Sequence, residues 1–159
     1  MEISFSIISL IQSMLAPGVM ISACALLLLG MNNKYSLVVN RIRLLNEEKR
    51  KFRLKASESK FKYEDEVRLN SLSIQLSQLR NRAMLVRNAV FCYSIAVASF
   101  VITSLIIGFN FLFTKLNVEF FVVVIFMFGM ILVLAGVMFA TWETINGYRI
   151  ISYEVKVDE

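Results

Sequence analysis

Three long stretches of this chain contain no charged residue at all. Residues 3–31, 89–113 and 120–142 hold no Asp, Glu, Lys or Arg over twenty-nine, twenty-five and twenty-three positions. In hydrocarbon every backbone polar group must be bonded within its own segment, so an uncharged apolar run of eighteen or more residues reads as a membrane-spanning helix. The pattern predicts an all-α membrane protein, a single domain over 1–159, with transmembrane helices at 3–31, 89–113 and 118–142. A mean hydropathy of +0.66 and a charged fraction of only 18% exclude ordinary soluble classes.

Between the first two runs, residues 32–88 carry fourteen of the seventeen Lys and Arg against six acids, a net charge of +8, while the rest of the chain is net −3. Basic residues near span ends stay on the cytoplasmic side. The expected topology is therefore an outer N-terminus, a cytoplasmic segment 32–88, an outer turn at Lys115-Leu116-Asn117 and a cytoplasmic tail 143–159. Attraction of Lys and Arg to anionic headgroups accounts for the basic balance, so a lipid surface rather than nucleic acid is the expected partner.

The polar middle has the cleanest periodicity. Tyr35, Val38, Ile42, Leu45, Lys49 and Phe52 follow 3-4-3-4-3 spacing, and Leu69, Leu72, Leu76, Leu79, Ala83, Val86 and Val90 follow 3-4-3-4-3-4. Both are heptad seams. Residues 56–60, small and polar, read as their connection. The expectation is a cytoplasmic antiparallel coiled-coil hairpin between the first and second spans, with seams available to copies of the chain as well.

Pro17 divides the first run. Two readings follow: one kinked helix spanning from residue 3, or an interfacial segment followed by a new helix that starts at Pro17. The apolar length suits a single tilted span. Ahead of Pro17, Ser6, Ser9 and Ser13 make a polar stripe together with Glu2. In the second run Ser94 with Ala98, and Ser104 with Gly108, form small-xxx-small pairs of the kind that lets helices approach closely in lipid. In the third, Gly129 and Gly136 stand seven apart on one face, and Trp142 occupies an interfacial position.

No catalytic constellation is present. The chain has no His and only two cysteines, Cys24 and Cys92, both inside apolar runs, where free Cys behaves as a small hydrophobe. No Gly-rich phosphate loop or metal-ligand spacing occurs, so neither an enzyme nor a cofactor is expected. Arg41, Arg43, Arg80, Arg82 and Arg87 lie in the halves of the two arms nearer the bilayer. They are candidates for headgroup contact, or for a basic vestibule that concentrates anions at a pore mouth. Glu143, at the inner end of the third span, is the acid placed to pair with one of these arginines. An ionisable group this close to the membrane is a functional candidate by default.

Several stretches resemble a bacterial family of small three-span membrane proteins known as a domain of unknown function. They are Ala16-Pro17, residues 27–35 and 40–48, residues 75–83, Arg87-Asn88-Ala89 and Glu143. The Arg-x-Arg-x-x-Asn-Glu stretch at 41–47 is the most specific of them. The resemblance implies a bacterial inner membrane and the same topology, and supplies no activity. The sequence leads to a homo-oligomeric, channel-like assembly with a basic cytoplasmic vestibule. Its rival is a non-conducting scaffold whose hairpin binds a cytoplasmic protein.

Overall fold

A computed structural model shows three helices: α1 (Glu2–Ser57), α2 (Tyr63–Phe113) and α3 (Glu119–Val157). The structure describes these helices and, within them, the side chains of residues 8–54, 63, 65–111 and 119–147. The connection at 58–60, the turn at 115–117, the Ser6 side chain and the tail side chains from 148 onward lie outside the described residues.

Each of the three helices extends beyond its apolar run at one end. α1 continues past Met31 to Ser57, α2 enters its run from Tyr63, and α3 continues past Trp142 to Val157. The polar stretches of α1 and α2 are rich in Leu, Lys, Arg and Glu, and no polar stretch contains proline, so none breaks the helix that the apolar run has already begun. Pro17 sits inside α1 rather than at its start. Its missing N–H removes the bond to the Ser13 carbonyl, and its ring is fully buried. Glu119 in the first turn of α3 complements the positive end of the helix dipole.

Segments of Ile8–Leu54, Asp65–Phe111 and Glu119–Gly147 are long and apolar enough to cross a membrane, with mean hydropathy 2.1, 2.3 and 3.0 in their most apolar stretches. By contacts the chain divides into two compact units. One comprises Met1–Met31 with Asn88–Phe139, the other Asn32–Arg87 with Ala140–Glu159.

The first unit packs on seven-residue rows. Pro17, Cys24 and Met31 are the buried positions of α1 here, and Ala89, Tyr93, Ala96, Ser99, Phe100 and Thr103 those of α2. Cys24, Ala96 and Phe100 form its centre, ringed by Met20, Phe126 and Leu132 among others. The Phe100 and Phe126 rings meet at 5.4 Å, tilted by 56°, within the range favoured by aromatic pairs. Against the α2 rings α3 presents glycine. A Cβ on Gly129 would stand 2.7 Å from Phe100 Cε1, and one on Gly136 would stand 2.6 Å from Tyr93 Cε1. Only the absence of a side chain lets the α3 backbone lie this close. Hydroxyls in the apolar stretch turn inward on their own helix. Ser99 donates to the Ile95 carbonyl at 3.0 Å and Thr103 to the Ser99 carbonyl at 2.8 Å, which removes the cost of burying them.

In the second unit the buried positions of α2 are Leu72, Leu79 and Val86, again seven apart, with Leu69, Leu76 and Ala83 half-buried between them. On α1, Val38, Ile42, Leu45, Lys49 and Phe52 are half-buried and Tyr35 is exposed. Arg68 donates from Nε and Nη2 to Glu48 Oε1 at 3.2 and 3.0 Å. Fourteen positions earlier on α1 and fourteen later on α2, Lys34 and Arg82 share one carboxylate. Those two contacts fix an antiparallel register for α1 and α2 in this unit.

Candidate functional site

Among the described residues of the second unit one acid is buried. Glu143 is 1% exposed, although it lies one residue beyond an uncharged run of twenty-three. A carboxylate can be kept there only if both oxygens are bonded. Arg82 of α2 donates to Oε1 from Nη2 at 2.7 Å and from Nε at 3.2 Å. Lys34 of α1 donates to Oε2 at 3.2 Å and to Thr144 Oγ1 at 3.3 Å. One acid therefore ties all three helices together, with two cations on one carboxylate.

Gly147 completes the arrangement. It lies one turn beyond Glu143 and is buried, and a Cβ there would come within 2.9 Å of Arg82 Nη2. The guanidinium thus occupies the space that a side chain at 147 would take. Exposure is graded across the cluster, with Arg82 26% and Lys34 47% open at the side chain against 2% for Glu143. Arg82 is the structural partner, and Lys34 bridges from the water side.

Of the five arginines singled out by sequence, the structure brings only Arg82 to Glu143. Arg41, Arg43, Arg80 and Arg87 are exposed. Ser9 and Ser13 are exposed on α1, with Ser13 bonded to the Ser9 carbonyl at 2.9 Å. Lys34, Thr144 and Gly147 were not singled out. A signal for Lys34 was present all the same, since it is the first charge after the first run as Glu143 is the first after the third. Among the described residues no three His, Cys, Asp or Glu converge in a way that could hold a metal ion.

The sequence profile of DUF2721, a protein family of unknown function, matches residues 14–152, most of the chain. The chain belongs to the DUF2721 family. A search of the curated proteins found no match, and neither did a search of the solved structures. The matched stretch of this DUF2721 protein includes Lys34, Arg82, Glu143 and Gly147, and it excludes Ser6, Ser9 and Ser13.

Proposed function

We propose that this DUF2721 protein is a multi-pass integral membrane protein that works as a homo-oligomeric, channel-like assembly with a basic cytoplasmic vestibule, and not as an enzyme. The supporting observation lies on α2. Its first small-xxx-small pair is left open by the chain's own packing, with Ser94 and Ala98 exposed, and in the second Ser104 and Gly108 are half-buried while a Cβ on Gly108 would meet nothing within 4 Å. In lipid, where apolar surface has no reason to leave its solvent, such faces are where helices of separate chains approach.

Four arginines, Arg41, Arg43, Arg80 and Arg87, remain turned to solvent once Glu143 has taken Arg82. Repeated around an assembly and held on the cytoplasmic side of a bacterial inner membrane, they line the vestibule or rest on anionic headgroups. Mass measurement of the detergent-solubilised protein tests the assembly, and a monomer at every concentration would end this reading. Conductance of the purified oligomer in a planar bilayer, altered in selectivity by Arg41→Glu and Arg80→Glu, tests the vestibule.

A second reading rests on α1. Leu37 and Leu44 are exposed on the same stripe as Arg41, a face suited to an acidic amphipathic partner protein. On that reading the protein is a membrane scaffold. An oligomer that conducts nothing, with both arginine variants equally silent, favours it.

A further inference from the structure

In a helix exposed to water, charges ordinarily take the face farthest from the packing row. α2 does the reverse in the second unit. Its buried row is Leu72, Leu79 and Val86. At about 100° per residue the opposite face carries Asn70, Ile74, Ser77 and Asn81, with Glu66, Val67 and Gln78 toward its edges. All seven are exposed, and Glu66 is the one charged residue among them. Arg68 and Arg80 stand about 120° to either side of Ile74, flanking the buried row instead. The outermost face of this helix thus carries no Lys or Arg in a segment of net charge +8.

We infer that this face of α2 is the contact with a second copy of the same chain, α2 against α2, parallel and across a two-fold axis. The inference rests on the homo-oligomeric reading above and names the surface it uses. Copies inserted in one bilayer with one orientation can be related only by an axis along the membrane normal, so equivalent helices run parallel and a central residue meets its own counterpart. Like must therefore tolerate like. Arginine facing arginine does not, whereas Val67 and Ile74 bury against themselves and Asn81 pairs amide to amide, being both donor and acceptor. Val67, Ile74 and Asn81 are seven apart, the spacing at which a parallel pair keeps one seam, and one Asn in such a seam sets register and copy number. A highly basic segment approaches its own copy most cheaply on the face that carries no basic residue.

Oxidative crosslinking of the full chain in native membranes tests the contact. Ile74→Cys and Asn81→Cys are expected to convert most of the monomer band to a covalent dimer, above the background that Cys24 and Cys92 give in the unmodified protein. Leu44→Cys, equally exposed on α1, is expected to stay at that background. Dimer formation at Leu44 as strong as at Ile74 overturns the assignment. So does background crosslinking at both 74 and 81 from a protein whose mass shows it to be oligomeric; in that case the assembly stands and this face falls. A monomeric mass removes both. Ile74→Arg, on an exposed position that leaves the fold intact, is expected to abolish the oligomer.

Discussion

Glu143→Gln isolates the charge at the centre of the triad while keeping shape and volume. In the parent protein Oε1 accepts two bonds from Arg82 and Oε2 accepts one from Lys34, so every neighbour is a donor. A glutamine has one acceptor oxygen and one NH2 group. Whichever way the amide turns, the NH2 faces a cation and Arg82 is left without a counter-charge. Breaking a buried pair from one side costs 3–5 kcal/mol, and Lys34 can relax into water, so the low end of about 3 kcal/mol applies. At about 1.4 kcal/mol per decade this lowers the folding equilibrium roughly a hundredfold.

Lys34→Met makes the contrast. Its ammonium is nearly half open, and such pairs are worth less than about 1 kcal/mol. The assay is reversible unfolding in mixed micelles with denaturing detergent. It is followed by the fluorescence of Trp142, the one tryptophan in the chain and the neighbour of Glu143. A glutamine variant within 1 kcal/mol of the parent, or a lysine variant as costly as the glutamine, would refute the view that Arg82 is the structural partner and Lys34 the bridge (both thresholds from the exposed-pair range).

The glycine contacts predict a graded series. Gly136→Ala drives a methyl to 2.6 Å from the buried Tyr93 ring and is expected to cost about 1–3 kcal/mol by overpacking, while Gly108→Ala meets open space and is expected to be neutral or slightly stabilising in the same unfolding assay. Gly147→Ala touches the movable end of Arg82 rather than a ring, so about 1 kcal/mol is expected, at the low end of overpacking costs. For the proposed orientation, Lys115→Cys in intact cells is expected to react with an impermeant maleimide, and Leu44→Cys only after permeabilisation. The opposite pattern would invert the topology.

The helices and their apolar runs were legible because a run without charge leaves the backbone one solution in hydrocarbon. The buried faces were partly legible too. Leu72, Leu79 and Val86 lie on the heptad positions the spacing marks, and Gly129 and Gly136 stand on one face as their separation requires. Helix ends were not legible from the hydrophobic pattern, since α1 and α3 run on through polar sequence that holds no proline to stop them. The partners of Glu143 were half legible. Charge proximity to the run ends favours Arg87, yet Arg87 is exposed and Arg82, five residues farther from the apolar run, takes the acid. Distance from the apolar run cannot decide this. The face of α2 does, because Arg82 lies on one row with Ala89, Ala96 and Thr103, all buried.

On α3 the row is Gly129, Gly136, Glu143, each seven from the last. A row of glycine alone would be repetitive, because each glycine accepts an aromatic ring about as well as the next and a shift of seven residues costs little packing. Glu143 breaks that degeneracy. Moved one heptad it would face apolar rings unpaired, which is prohibitive for a buried carboxylate. The triad is thus expected to fix register more than to add stability, and the two roles separate in the double variant Arg82→Leu/Glu143→Leu. Replacing a buried pair by apolar residues is often neutral, so stability should return to near the parent value after the loss seen in Glu143→Gln. Register should not return. Spin labels at Met84 and Ile145, both exposed in the second unit, are expected to give one distance in the parent and a broadened or split distribution in the double variant. A single unchanged distance there would mean that apolar packing alone sets the register of α3, and that Glu143 is held for another purpose.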